Sequence, residues 1–236
     1  MMYALCSIPT APLRLQPNHT AEMVSQLLFG ERCIVEEKNN EGWCKVVCKN
    51  DNYMGWCLLQ QLSTITEEVY NRRTQPTAEW LTEIEFNDQP MQVPFGSELD
   101  VEKLELLKPT QQNIAEAAHQ FLNTSYLWGG KTVFGTDCSG FTQTVFKLFG
   151  IYLPRDAKQQ ILHGEEVPFL QQAHSGDLAF FDEDGSIVHV GILLSNSHII
   201  HASGKVRIDK IDTEGIINTE DGSRSKQKLR LIKRYF

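Results

Sequence analysis

The chain has 236 residues, which suits one large domain or a small domain followed by a medium one. Its hydrophobic content of 41% and charged content of 22% are ordinary for a globular protein, and its formal net charge of -8 argues against polyanion binding as the main function. No stretch approaches the roughly 18 apolar residues of a membrane helix. We therefore expect a protein that binds neither nucleic acid nor membrane.

The N-terminus lacks the basic start and the apolar core of a signal peptide. The sequence therefore predicts a cytoplasmic protein. A secreted mature chain, from which a signal has been removed, stays open.

The first 65 residues contain short apolar runs, separated by turn-forming sequences such as Asn-Asn-Glu-Gly and Lys-Asn-Asp-Asn. The runs cover residues 13–15, 26–35, 43–48 and 53–59. Short strands at this spacing predict a small β-barrel over residues 1–65.

Five of the six cysteines lie in this N-terminal quarter of the chain. They are Cys6, Cys33, Cys44, Cys48 and Cys57. Free cysteine behaves as a small hydrophobic residue, so packing in the core is the favoured interpretation. A disulfide pair and a metal site are the alternatives, although no Cys-x-x-Cys pair supports zinc.

Residues 66–108 are interrupted by Pro76, Pro90 and Pro94. One or two strands are predicted over 91–99. We interpret the segment as an extension of the N-terminal domain or a packed linker, and a second, degenerate barrel is the alternative.

From Thr110, which is suited to cap a helix, the pattern becomes helical. Apolar residues recur on one helix face at 114, 117, 118, 121 and 122. A second helix is predicted from Cys138 to Gly150, and a short third helix over 156–163. Strands are predicted over 178–181, 187–194, 198–202, 205–208 and 228–235. Helices followed by an antiparallel sheet predict an α+β layout for residues 109–236.

The tetrapeptide Asp-Cys-Ser-Gly at 137–140 lies where a glycine-rich loop gives way to the second helix. The partial positive charge of a helix N-terminus favours the thiolate form of Cys138. A thiolate is the nucleophile of cysteine hydrolases, and such a site needs a histidine as its base. His189 and His201, both in predicted strands, are the candidates.

Several further segments stand in a recognisable order. They are YLWGG at 126–130, DCSGF at 137–141, LPR at 153–155, GDL at 176–178 and VHVG at 188–191, followed by His201. Together they resemble the NlpC/P60 family of cysteine peptidases, which cut bacterial cell-wall peptides. In the N-terminal region, Gly-Glu at 30, Gly-Trp at 42 and Tyr-Met-Gly-Trp at 53 resemble bacterial SH3-like (SH3b) domains. The resemblance implies an SH3-like β-barrel followed by a papain-like domain of helices packed on an antiparallel sheet.

The resemblance implies catalytic roles for four residues. Cys138 attacks the scissile amide carbon, and His189 accepts the thiol proton and later donates it to the leaving amine. His201 holds the tautomer of His189; its competitor, His198, falls on the opposite face of the strand by alternation. The backbone N–H of Cys138 and the hydroxyl of Tyr126 stabilise the oxyanion, although a plain core role for Tyr126 stays open.

The resemblance also implies contacts to the substrate amine. Family members with both domains cut after L-Ala-γ-D-Glu when the amine is free, and an ammonium group calls for carboxylates and hydroxyls. The implied contacts are Asp137, Tyr53 and Glu22, with a solvated surface charge as the alternative for Glu22.

The α-carboxylate of D-Glu needs donors, and Ser139 fits this role. Arg155 is a second candidate and is equally interpretable as structural. Trp128 is the implied wall of the substrate groove, with core packing as its alternative. At Ala157 related enzymes often place a serine, so the contacts to the carboxylate differ here in detail.

The leading functional hypothesis is a γ-D-glutamyl-L-diamino-acid endopeptidase that acts on free stem peptides such as L-Ala-γ-D-Glu-diaminopimelate during wall recycling. The alternative is a secreted D,L-endopeptidase on intact peptidoglycan, with the barrel as a wall-binding module. Neither hypothesis requires a metal or another cofactor. We expect a small murein peptide as the partner, and a monomer.

Overall fold

The computed structural model describes residues 2–236 and divides into two compact units. The first contains the residues up to Leu106 together with Trp128–Val133. The second contains Leu107–Leu127 together with Phe134–Phe236. Within the described residues, no helix is long and apolar enough to cross a membrane.

The first unit begins with seven strands. They are β1 (Met2–Cys6), β2 (Thr10–Arg14), β3 (Met23–Leu28), β4 (Arg32–Lys38), β5 (Trp43–Cys48), β6 (Met54–Leu58) and β7 (Leu62–Ile65). They form one antiparallel sheet in the order β3-β2-β6-β5-β4-β1-β7. Alternate residues such as Ala4, Leu13 and Val46 pack in its core. β1 was missed from sequence because its inward residues, Ala4 and Cys6, are small and give a weak apolar signal.

The five N-terminal cysteines pack in this core, and all six cysteines of the chain are free thiols. The core-packing interpretation is therefore correct, and the disulfide alternative is wrong. Cys44 lies directly opposite Cys57 on the neighbouring strand, with 3.8 Å between the two sulfur atoms. That separation is van der Waals contact rather than a covalent bond.

Residues 66–106 form small elements rather than a second barrel. They are α1 (Glu67–Tyr70), β8 (Thr74–Pro76), β9 (Leu81–Phe86), β10 (Gln89–Pro94) and β11 (Glu98–Asp100). β8 pairs with β11, and β9 pairs with β10. Asn87 and Asp88, both at positive φ, form the two-residue turn of the β9–β10 hairpin. The buried Arg32 holds the segment to the barrel by donating to the Val69 carbonyl at 3.0 Å and by pairing with Asp100.

The segment Trp128–Val133, which includes β12 (Lys131–Thr132), belongs to the first unit. Lys131 Nζ lies 3.1 Å from Glu31 Oε1, and both side chains are buried. A Cβ added at Gly129, whose φ is +78°, would lie 2.3 Å from the Met23 carbonyl oxygen. Glycine is thus required there both for its backbone conformation and for the close approach to β3.

The second unit combines three helices with a sheet. The helices are α2 (Gln111–His119), α3 (Cys138–Lys147) and α4 (Ala157–Gln160). The strands are β13 (Gly135–Thr136), β14 (Glu165–Glu166), β15 (Leu178–Glu183), β16 (Ser186–Leu193), β17 (His198–Ser203), β18 (Lys205–Ile211), β19 (Gly215–Ile217) and β20 (Arg224–Arg234). Two 3-10 turns, one in each unit, complete the elements at Leu59–Gln61 and Leu170–Gln172.

The large sheet of this unit has the order β14-β20-β15-β16-β17-β18-β19. Because β19 also pairs with β20, strands β15–β20 close into a ring. Side chains of these strands, among them Phe181, Leu193 and Ile199, form an apolar cluster. The five long strands predicted from sequence are present, whereas β19 was missed and the predicted third helix is confined to Ala157–Gln160.

The buried Lys131–Glu31 pair gives a stability prediction. Lys131→Met leaves the Glu31 carboxylate buried without its cation. We therefore expect the free energy of unfolding to fall by about 3–5 kcal/mol. Urea unfolding followed by circular dichroism measures the change. The matched control is Lys103→Met, which removes an exposed ion pair with Glu105 and should change stability far less. Equal losses in the two variants would contradict a structural role for the buried pair.

Candidate active site

Helix α3 begins at Cys138 because Asp137 caps it. Asp137 has extended backbone, and its Oδ1 accepts a hydrogen bond from the Gly140 N–H at 2.7 Å. Cys138 is therefore the first helical residue, as the sequence predicted, and it is 6% exposed. Its sulfur receives backbone hydrogen bonds from Ser139 in the same turn and from Val190 on β16.

Two histidines come from neighbouring antiparallel strands. His189 lies on β16 and His201 on β17, and His189 Nε2 is 2.8 Å from His201 Nδ1. A Cβ added at Gly191 would lie 2.8 Å from His201 Cβ, so glycine at this position leaves room for the ring. The competitor His198 is exposed and bonds Ser197 instead.

Asp209 on β18 extends this pair and was missed from sequence. Its Oδ2 lies 3.0 Å from His201 Nε2, and its Oδ1 accepts from Arg207 and from the Thr219 N–H, each at 2.9 Å. The position of Asp209 can nevertheless be inferred from the predicted strand pairing. The tight β17–β18 turn at Gly204 pairs His201 with Arg207, and alternation puts Asp209 on the same face.

Burial sets the protonation of the reacting groups. Burial and the neighbouring Asp137 carboxylate raise the pKa of Cys138 to about 11. Burial and the adjacent His201 ring lower the pKa of His189 to about 3. The shift toward the thiolate that the helix N-terminus was expected to give is therefore not found, because burial outweighs it and raises the pKa of Cys138. The resting pair is a neutral thiol and a neutral imidazole.

Asp209 remains ionised. Burial opposes its ionisation, but hydrogen bonds from His201, the Thr219 N–H and Arg207 outweigh it and hold the pKa of this carboxyl well below its usual range. The Asp209 carboxylate thus places one negative charge next to the His201 imidazole, which in turn is hydrogen-bonded to His189. A polar cavity of about 200 Å³ opens beside His189 and His201.

Arg155 pairs with the capping residue. It is 2% exposed, and its two terminal nitrogens donate to the two carboxylate oxygens of Asp137 at 3.0 and 2.6 Å. It also donates to Ser139 Oγ at 3.0 Å. These contacts are structural ones, and a role of Arg155 toward substrate stays a prediction. The substrate roles expected of Asp137 and Ser139 stay predictions.

Tyr126 lies in the same unit, where its N–H donates to the Gly204 carbonyl at 3.0 Å. Burial, followed by the nearby Cys138 and Asp137, raises the pKa of its phenol to about 12. The hydroxyl is therefore protonated at neutral pH and is able to donate.

Ala157 is the first residue of α4 and is buried.

Three predicted substrate contacts belong to the first unit: Glu22, Tyr53 and Trp128. Trp128 is 60% exposed, and its indole N–H donates to Glu22 Oε1 at 2.6 Å. Tyr53 packs against the barrel core and is half-buried. Glu22 is exposed as well as hydrogen-bonded to Trp128, so the solvated-charge alternative stays open. The roles of all three toward substrate stay predictions.

Comparisons with known proteins bear on the whole chain. Residues 123–224 match the NlpC/P60 family, and residues 13–62 match the bacterial dipeptidyl-peptidase Sh3 domain. A γ-D-glutamyl-L-lysine dipeptidyl-peptidase of Bacillus cereus is 27% identical over 89% of this chain and 77% of its own length. A γ-D-glutamyl-L-lysine dipeptidyl-peptidase of Bacillus subtilis is 29% identical over 75% of this chain and 71% of its own length.

The fold has a close counterpart among solved structures. The crystal structure of an NlpC/P60 family protein from Bacillus cereus superposes with a TM-score of 0.82, at 21% identity, and covers 99% of both chains. The chain therefore carries an NlpC/P60 cysteine-peptidase domain preceded by a bacterial SH3 domain, and the resemblance read from the sequence motifs is confirmed.

The raised pKa of Cys138 gives a prediction that needs no substrate. Alkylation by iodoacetamide requires the thiolate, so its rate at Cys138 should still be rising at pH 9, above the ordinary cysteine value of about 8.5. Asp137→Asn keeps the helix cap and removes the negative charge, so we expect a lower pKa. Mass spectrometry of the Cys138 peptide measures the rate.

The matched control is Asp184→Asn, at an exposed turn position that already has positive φ. This variant should leave the profile unchanged. A wild-type rate that levels off by pH 8 would contradict the neutral resting thiol.

Proposed function

We propose that the chain is a cysteine peptidase that hydrolyses the γ-D-glutamyl-L-diamino acid bond of free murein stem peptides. The observation that carries the proposal is the placement of Cys138 at the start of α3 in the unit where His189 and His201 are hydrogen-bonded. Support comes from two relatives that are named γ-D-glutamyl-L-lysine dipeptidyl-peptidases and that align with most of the chain. The substrate would be a small peptide of cell-wall recycling.

The proposed arrangement is papain-like. The helix α3 supplies the nucleophile, while β16 and β17 supply the two imidazoles. α3 contacts both strands, so the sulfur and the rings are held by regular elements rather than by loops.

The first half of the reaction forms a thioester. Because Nε2 of His189 faces His201, Nδ1 is the nitrogen left to accept the Cys138 proton. The sulfur attacks the γ-carbonyl carbon of D-Glu, and the negative charge moves to the carbonyl oxygen. The N–H of Cys138 and the hydroxyl of Tyr126 are the proposed donors to that oxygen.

The second half releases the products. As the C–N bond breaks, His189 gives its proton to the leaving amine of the diamino acid. Water, deprotonated by His189, then attacks the thioester carbon and displaces the Cys138 thiolate, which takes back the proton. L-Ala-D-Glu leaves with a free γ-carboxylate.

Substrate selection is proposed to rest on the ends of the dipeptide. A free L-Ala amine needs an anionic partner, for which Asp137 and Glu22 are proposed, with the Tyr53 hydroxyl as a further acceptor. Ser139 is proposed to bind the α-carboxylate of D-Glu. Arg155 supports both Asp137 and Ser139 through its hydrogen bonds.

The test compares three substrates: L-Ala-γ-D-Glu-L-Lys, its N-acetylated form, and intact peptidoglycan. We expect cleavage of the free tripeptide only, measured by liquid chromatography and mass spectrometry. Equal cleavage of the acetylated peptide or release of peptides from the polymer would support the secreted wall endopeptidase instead. Repeating the assay with meso-diaminopimelate gives the diamino acid preference.

Two variants isolate the catalytic residues. Cys138→Ala should lower kcat/KM by at least about 10³-fold, because it removes the nucleophile. His198→Ala removes an exposed imidazole from the same strand as His201 and should retain activity. Persistent cleavage by Cys138→Ala would exclude the thiol mechanism.

The lowered pKa of His189 predicts the pH dependence of the proposed reaction. The neutral ring is the base, so activity is lost only where the ring gains a proton. With a pKa of about 3 the acid limb of kcat/KM lies well below the ordinary histidine value of about 6.5. Steady-state kinetics between pH 3 and pH 9 measure it. A midpoint near pH 6.5 would show that the ring is not held neutral by burial.

A further inference from the structure

We propose that Asp209 is a positioning residue. Its carboxylate determines which nitrogen of His201 and of His189 carries the hydrogen, and thereby leaves Nδ1 of His189 unprotonated and able to act as the base. The inference rests on the proposed function for its kinetic consequences. It adds a fourth member behind Cys138, His189 and His201, and it depends on which nitrogen carries each proton.

The argument begins at the carboxylate. Oδ1 of Asp209 accepts from Arg207 Nη2 and from the Thr219 N–H, each at 2.9 Å. Oδ2 lies 3.0 Å from His201 Nε2. An ionised carboxylate is only an acceptor, so His201 must carry a hydrogen on Nε2 to make this bond.

The next step follows from the chemistry of neutral imidazole, which has one N–H and one acceptor nitrogen. With its hydrogen on Nε2, His201 presents a lone pair at Nδ1. His189 Nε2, 2.8 Å away, must then be the donor. The remaining nitrogen of His189, Nδ1, is unprotonated and able to accept the thiol proton of Cys138.

Without a fixed acceptor at one end, the chain of hydrogen bonds is equally satisfied in reverse. His201 would donate from Nδ1 to His189 Nε2, and His189 would carry its hydrogen on Nδ1. That tautomer is unable to accept a proton from the thiol. The carboxylate therefore decides between a competent and an incompetent base.

The surroundings hold the carboxylate in place independently of substrate. Asp209 is 2% exposed, and the Arg207 Nη2 that donates to it also donates to Asn218 Oδ1. Further charged groups face this cluster: Glu220, which lies 3.9 Å from Arg207, Asp221, which interacts electrostatically with Arg207, and Arg224, which lines the same cavity. The Thr219 N–H is a backbone group, so it can donate a hydrogen bond but never accept one.

This fixed polarity makes the isosteric variant informative. In Asp209→Asn, the amide oxygen must occupy the Oδ1 position, because Arg207 and the Thr219 N–H are both donors. The amide NH₂ then faces His201 Nε2 and donates to it, which reverses both histidines. In Asp209→Ala neither direction is imposed.

The experiment therefore compares the two variants in kinetics on the free tripeptide. We expect Asp209→Asn to lower kcat by about 10³–10⁴-fold with little change in KM, and Asp209→Ala to lower kcat less. A purely structural role predicts the opposite order, because asparagine keeps the shape of the side chain. That opposite order would overturn the proposal.

A second measurement uses no substrate. In protein labelled with ¹⁵N-histidine, ring nitrogens with and without hydrogen differ in chemical shift, with His189 assigned by its loss in His189→Phe. Wild type should show a bare Nδ1 on His189, and Asp209→Asn should show a protonated one. A protonated Nδ1 in wild type would overturn the proposal without any variant at the aspartate.

The matched control is Asp212→Asn, at a partly exposed carboxylate that pairs with Arg224. It should leave the tautomers and kcat unchanged. If the tripeptide is not cleaved at all, the proposed function fails, while the tautomer measurement still decides the role of Asp209.

Discussion

The hydrogen bond between His189 and His201 is the interaction on which the arrangement of the polar site in the second unit depends. Two imidazoles that are both less than a tenth exposed need partners for their ring nitrogens, because an unpaired polar group in a buried site is costly. Adjacent antiparallel strands bring the rings to 2.8 Å, and Gly191 gives the second ring its space. The far nitrogen of His201 then needs an acceptor, which the next strand supplies as Asp209. Three consecutive strands thus satisfy one short chain of polar groups.

Two other pairs of buried charges follow the same rule. Asp137 is balanced by Arg155 in the catalytic unit, and Glu31 by Lys131 in the barrel unit. Each pair also uses additional hydrogen bonds, without which a buried ion pair fails to offset its desolvation. The Asp137–Arg155 pair has a chemical consequence as well. Burial is the largest cause of the raised pKa of Cys138 and the Asp137 carboxylate the second, while the positive charge of Arg155 acts in the opposite direction and lowers that pKa.

Sequence periodicity located the elements that carry the chemistry, because α3 and the strands β15–β18 have long and regular apolar patterns. It failed where the pattern is short or the decisive contact is non-local. β1 has only small inward residues, and β19 has three residues. Asp209 was missed because its importance arises from a pairing register rather than from a motif. The charge state of Cys138 was predicted in the wrong direction because the helix N-terminus is visible in the sequence, whereas the depth of burial is not.

The burial of His189 and the choice of its tautomer are connected. A thiolate–imidazolium pair has no tautomer to choose, since the charged ring carries hydrogen on both nitrogens. A neutral ring does have to choose, and burial keeps His189 neutral. The environment that suppresses the ion pair in the resting site is therefore the one that makes an ionised carboxylate behind His201 necessary. When the thiol proton does move to His189, the negative charge of Asp209 lies two hydrogen bonds away and favours the imidazolium that forms. One carboxylate thus serves the resting state through geometry and the reacting state through its charge.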